Sequence, residues 1–215
     1  MANFDELAER IHQEFEIRTA ARDRALAQAR TLTRACAHAI RATHRNEDDL
    51  AQEHLHQAGL LAQTLRSELA NYPDLYHAGY TQDALKEYAE ATLVYAFVHG
   101  LELPGYAEQA LEPATYLQGL AEAAGELRRR CLDMLLNENP AEAQRLLALM
   151  DEIYAILVTM DYPDAITGGL RRLTDVARSI IERTRGDLTM SLRQESLERS
   201  LRQMEARLNL PDPDA

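Results

Sequence analysis

The sequence predicts an all-α fold, about seven helices in a single elongated bundle. Three observations predict it. Ala, Leu, Glu and Arg, all good helix formers, dominate the composition, while Val is scarce and Trp absent. No stretch alternates β-branched and polar residues as a strand would. The first Gly is Gly59 and the first Pro is Pro73, so nothing breaks a helix over the opening part of the chain. With 215 residues and 46% apolar content, the chain is long enough for one domain with a real core. That domain is read as residues 1–210, followed by a short Pro-rich tail at 211–215.

The first helix is expected from about Phe4 to His44, beyond usual globular length, which suggests a bundle or an oligomeric assembly. Asn46, followed by three acidic residues, reads as the cap of a second helix running to about Asn71. Tyr72-Pro73 ends it, because the residue before Pro avoids the helical region. A third helix spans Gln82 to Val98, with Thr81 as its N-cap and Gly100 as its stop. A fourth begins near Pro113 and runs to about Leu136. Asn139-Pro140 opens a fifth, which Asp161-Tyr-Pro163 stops. A sixth starts at Asp164, tolerates Gly168 and Gly169, and ends at Arg185-Gly186; the last runs from Leu188 to about Leu208. Paired glycines so early in a helix mark either a weak first turn or a close approach by another backbone or a ligand.

Several classes are excluded. No apolar run reaches the roughly 18 residues that cross a bilayer, so no membrane partner is expected. The first residues have neither a basic n-region nor an apolar h-region, so no signal peptide is expected. Two cysteines, Cys36 and Cys131, make no disulfide framework and no zinc set; the expected setting is cytoplasmic. Gly-rich phosphate loops, Cys-x-x-Cys pairs and Gly-x-Ser-x-Gly elbows are absent. Only Glu53-x-x-His56 fits the di-iron pattern, which needs two copies. A metal site here would be built from oxygens and would suit Mg²⁺ or Mn²⁺.

Two features carry chemistry. Net charge is −12, yet no Asp or Glu occurs from Arg24 to Asn46, where Arg24, Arg30, Arg34, Arg41 and Arg45 fall. Arg30, Arg34, Arg41 and Arg45 share a face within roughly 60°. The stripe is either a solvated face or a surface for a polyanion, since Arg forks match phosphate oxygens. In the third helix, Glu87 shares the sector of Ala91, Val94 and Val98, and Glu90 flanks it. Charges beside apolar residues are either paired or metal-bound, or that part of the helix is exposed. Glu122 and Glu126 lie opposite the apolar stripe of the fourth helix, and periodicity alone reads them as solvated, balanced by Arg128 to Arg130.

These motifs carry a resemblance. Glu87-Tyr-Ala-Glu-Ala91 resembles the Glu-Tyr-x-Glu-Ala motif of the Trax branch of the translin/Trax family. Tyr116-Leu-Gln-Gly-Leu-Ala-Glu-Ala-Ala-Gly-Glu-Leu-Arg128 is similar to the Trax segment Tyr-Leu-x-Gly-x-Ala-Asp-x-x-Gly-Glu-Leu. Arg18, Arg24, Arg30 and Arg45 stand where Trax has basic residues, and residues 162–186 are similar to a family segment ending in Arg-Gly. The resemblance implies a seven-helix protomer that oligomerises into a closed, hollow assembly, an octamer in the family, around single-stranded RNA. It implies an Mg²⁺-dependent endoribonuclease, with Glu87, Glu90, Glu122 and Glu126 as metal ligands and catalytic groups. It also implies that Arg18, Arg24, Arg30, Arg34, Arg41 and Arg45 form an RNA-binding surface, with single-stranded DNA as a further ligand. The family's Asp is Glu122 here, one methylene longer. Two other readings stand beside it: a translin-like single-strand binder that does not cut, and a helical scaffold with no nucleic-acid role.

Overall fold

The computed structural model describes residues 3–208, which form eight helices and no strand. The 211–215 tail lies outside the described residues. Helix α1 spans Phe4–His44, α2 Asp48–Glu68, α3 Pro73–Tyr76, α4 Gly79–His99 and α5 Pro113–Leu136. Then come α6 Pro140–Leu157, α7 Asp164–Thr167 and α8 Leu170–Leu208. Every long helix expected is present, and the count differs because of two short turns and one fusion.

The fusion is at Gly186. Expected to end a helix, it lies inside the 39-residue α8. Glycine costs a helix interior only about 1 kcal/mol. Here the flanks are pinned: Arg128 of α5 donates to Thr184 Oγ1 at 3.0 Å and to Asp187 Oδ2 at 2.8 Å, and Arg185 pairs with Asp151 at 2.6 Å. The break falls instead at Gly168 and Gly169, with φ of +59° and +85°. Gln118 Nε2 donates to the carbonyls of Thr167 and Gly168, and a Cβ on Gly168 would stand 2.6 Å from that nitrogen. The paired glycines thus admit a side chain of α5.

Capping follows expectation at some ends and not at others. Pro113 and Pro140 are first-turn residues, Asn139 accepts from the Glu142 amide, and Gly100 adopts φ +63°. Thr81 is not a cap. Helix α4 starts earlier, at Gly79, and the buried Thr81 hydroxyl donates to the Leu75 carbonyl. Asn46 is not a cap either. It takes φ +57° and its Oδ1 accepts from Arg130 at 2.6 Å, leaving Glu47 in the cap position.

Helix α4 is the central element. Ala84, Leu85, Ala89 and Ala91 pack with α1 and α2 around Leu32, Cys36, Ala62 and Leu65. Leu93, Val94 and Phe97 pack instead with α5, α6 and α8 around Leu127, Leu146, Met150 and Ala177. Two cores therefore meet on one helix, which explains why its apolar residues are not confined to a single face. The first half of α1 has no buried residue before Ala21, and Phe4, Leu7, Ile11, Phe15 and Ile17 are exposed. Met190, Leu197, Leu201 and Met204 of α8 are likewise exposed. No described helix is long and apolar enough to cross a membrane.

A carboxylate cluster between two helices

Gly119 brings α5 against α4. A Cβ there would stand 2.8 Å from both Ala89 Cβ and the Lys86 carbonyl oxygen, and 3.0 Å from the Glu90 amide nitrogen. Only glycine lets the two backbones come this close. One turn further along α5, Glu122 faces Glu87 and Glu90 across the junction. One carboxylate oxygen from each of these three residues lies within 4.8 Å of the others. That is close to the span of about 4.2 Å between opposite oxygens of an Mg²⁺ ion bound at about 2.1 Å. All donors are hard oxygens, the set that suits Mg²⁺ or Mn²⁺.

The cluster is electrostatically frustrated. Glu90 is buried, with 8% of its surface exposed. Burial, then the charges of Glu87, Glu122 and Glu126, push its pKa up to about 8. Burial also raises Glu87, although Lys86 opposes the shift. Cys36 of α1 is buried, and burial, then the charges of Glu87 and Glu90, push its thiol far up. The solvated reading of Glu122 and Glu126 fails, because the face opposite the α5 stripe is the one that meets α4 and α1.

Glu126 stands apart from the other three acids. Its Oε2 accepts from His44 Nε2 at 2.6 Å, and His44 is the last residue of α1, with a buried side chain. That hydrogen bond lowers the Glu126 pKa, against the effect of burial and with help from the His44 and Arg129 charges. His44 is fixed in turn, since Arg130 donates to its carbonyl at 3.1 Å while also holding Asn46. Two residues of the Arg128 to Arg130 run are therefore anchors rather than charge balance.

The arginines divide. Arg18 forms an ion pair with Asp74, and Arg24 lies 3.8 Å from Glu68. Arg30, Arg34, Arg41 and Arg45 are exposed and form no ion pair among the described residues. Desolvation, then the charges of Arg41, His54 and Arg34, hold His38 below its ordinary pKa. Around α1, Arg30 and Arg41 lie within roughly 60° of His44, while the four arginines lie roughly 120–180° from Cys36.

Known proteins share this arrangement of helices. No family model matches the chain. An uncharacterised protein of Methanocaldococcus jannaschii is 31% identical over 190 residues, covering 87% of this chain and 84% of that one. The crystal structure of AfC3PO is similar with a TM-score of 0.79 and 30% identity, covering 86% of this chain and 96% of that one. The structure of AfC3PO with duplex RNA matches with a TM-score of 0.77 and 29% identity, covering 94% and 99%. These are C3PO proteins, of the translin/Trax type. The chain belongs to the translin/Trax family. Apo-NeC3PO, at 22% identity and a TM-score of 0.78 over 89% of this chain and 98% of that one, shares the fold.

Within this translin/Trax protein, three of the four expected acids converge, and Glu126 is held beside them by a histidine. Sequence reasoning assigned no site role to Lys86, His44, Gly119 or Arg130. Lys86 Nζ is 2.6 Å from Glu122 Oε2 and 3.7 Å from Glu87 Oε1. Burial works against its charge, but Glu122 and Glu87 outweigh that and its pKa is raised. One signal pointed to Lys86, the only lysine in the sequence. No comparable signal marked His44, whose partner is 82 residues away.

Proposed function

We propose that this protein binds RNA and cleaves its phosphodiester backbone with an Mg²⁺ or Mn²⁺ ion held by Glu87, Glu90 and Glu122. The observation that carries this reading is the convergence of three carboxylates, one of them buried and strongly raised in pKa. A buried acid cluster costs stability unless something neutralises it, and perturbed acids gather at functional sites. Mg²⁺ or Mn²⁺, when bound, polarises a phosphoryl oxygen, activates water and offsets charge on the leaving oxygen. The chain's own groups then have separate tasks. Glu87, Glu90 and Glu122 position the ion. Glu126, tied to His44 by the hydrogen bond that lowers its pKa, is the fourth catalytic carboxylate. Arg30, Arg34, Arg41 and Arg45 grip phosphates, without reading bases.

The RNA is proposed to be single-stranded. AfC3PO has been captured with duplex RNA, so both forms belong in the assay. The working unit is proposed to be a homo-oligomer, with the octamer as the expected size, which would cover the exposed apolar residues of α1 and α8. A second reading, binding without cleavage, is favoured by one observation: Lys86 already neutralises part of the cluster.

Labelled single-stranded and duplex RNA, incubated with the protein in Mg²⁺ or in EDTA, separate the two readings. Glu87→Ala/Glu90→Ala is expected to lose cleavage by at least roughly 100-fold, beyond the effect of losing an outer-shell partner of a metal ligand, while retaining RNA binding. Cleavage that survives in this variant or in EDTA refutes the nuclease reading. Binding without cleavage in the wild type establishes the second reading.

A further inference from the structure

Of the 23 Lys and Arg residues, all but Lys86 are arginine. This single ammonium sits on two of the three acids that converge between α4 and α5, and only 14% of its side chain is exposed. Its main chain is fixed, because the Lys86 carbonyl lies where the Gly119 junction is tightest. Its four-carbon stem is the part that can move.

The chemistry of the two basic side chains differs at such a place. An arginine fork would clamp Glu122 in a bidentate pair. An ammonium is a compact point charge on a flexible stem, with no fixed fork. It therefore neutralises the acids much as a small metal ion does, without locking them. A divalent ion shared by Glu87 and Glu122 would have to approach the same oxygens, and two cations on one oxygen repel strongly in a half-buried site.

We propose that Lys86 is a resident counter-ion, displaced from Glu122 when a divalent cation binds, whose freed ammonium then pairs with the RNA phosphate backbone. The inference rests on the nuclease reading and deepens it. In the resting state Lys86 limits repulsion among Glu87, Glu90 and Glu122, so the acids stay close without metal. In the loaded state it adds a positive charge on the substrate side. Metal loading and substrate grip become linked through one side chain.

The test is a calorimetric titration of the full-length protein with MnCl₂ and with MgCl₂, in the absence of RNA. Lys86→Met is expected to bind the ion roughly tenfold more tightly than wild type, and Lys86→Arg more weakly. Wild-type binding that Glu122→Gln abolishes, with unchanged or weaker binding in Lys86→Met, leaves the metal centre intact and overturns the role of Lys86. No binding by any variant overturns the metal centre and this inference together.

The wild type supplies a check that no misfolded variant can spoil. Protein carrying lysine 13C-labelled at Cε alone gives one side-chain resonance, which is expected to move as metal is added. A resonance unmoved at saturating metal overturns displacement. Finally, with uncleavable 2′-O-methyl RNA, Lys86→Met is expected to lose a few-fold in affinity with Mg²⁺ present and nothing in EDTA. Equal affinities of wild type and variant in Mg²⁺ overturn the phosphate contact.

Discussion

The carboxylate cluster between α4 and α5 and the arginine stripe along α1 are built in opposite ways. Each acid is fixed. Glu90 is buried, Glu87 and Glu122 share Lys86, and Glu126 is tied to a histidine that is itself held by Arg130. The four arginines from Arg30 to Arg45 are exposed and have no ion-pair partner among the described residues. The difference follows from what each must do. Placing an ion and a water needs oxygens fixed to fractions of an ångström, and packed helices supply that. Holding a flexible polyanion needs charge that adapts, and long exposed side chains supply it.

The largest effect expected from breaking this contrast is on stability as pH changes. Folded Glu90 has a pKa of about 8 against 4.5 for the free side chain. The folded protein therefore keeps a proton that the unfolded chain gives up. Stability falls as pH rises from about 4.5 to about 8, by on the order of 1 kcal/mol per pH unit. Thermal melts in EDTA across that window check the sign. Glu90→Gln is expected to flatten the curve and to raise the melting temperature at pH 8. Added Mg²⁺ is expected to restore wild-type stability at the alkaline end. A flat wild-type curve in EDTA would mean that the cluster is not frustrated.

A smaller loss is expected at the junction. Gly119→Ala places a methyl against backbone atoms that cannot yield, and overpacking of this kind costs about 1–3 kcal/mol. Urea denaturation measures it. Cleavage is expected to fall as well, because α5 must move away from α4 and carries Glu122 with it. Gly125→Ala is the control, since nothing lies within 4 Å of a Cβ there.

The smallest structural effect is expected on the other side of the comparison. Arg30→Ala/Arg34→Ala leaves the fold's stability unchanged, weakens RNA binding about tenfold at low salt, and reduces the salt slope by about two. Filter binding at several salt concentrations measures both. An unchanged slope would remove these residues from the RNA surface.

The two regions also differed in how far the sequence disclosed them. The stripe was legible from spacing alone, because its members follow one another along α1 and its C-cap and their order fixes their face. The acids were legible in pairs, Glu87 with Glu90 and Glu122 with Glu126, but periodicity could not say that α5 turns its acidic side toward α4. That depends on Gly119, whose role is visible only once both helices are in place. The same limit explains Gly186 and Asn46. Local propensity reads them as a stop and a cap. Contacts from Arg128, Arg185 and Arg130, each with a partner at least 34 residues away, decide otherwise.

The contact at Gly119 has an evolutionary consequence. It sets the gap between α4 and α5 by main chain against main chain, not by the bulk of core side chains. Leu, Met and Ile in the two cores can then exchange for one another at modest cost, typically below about 1.5 kcal/mol, without widening the gap. Sequences of this kind can drift in both cores while the spacing of the acids stays put, and the position least free to drift carries no side chain at all.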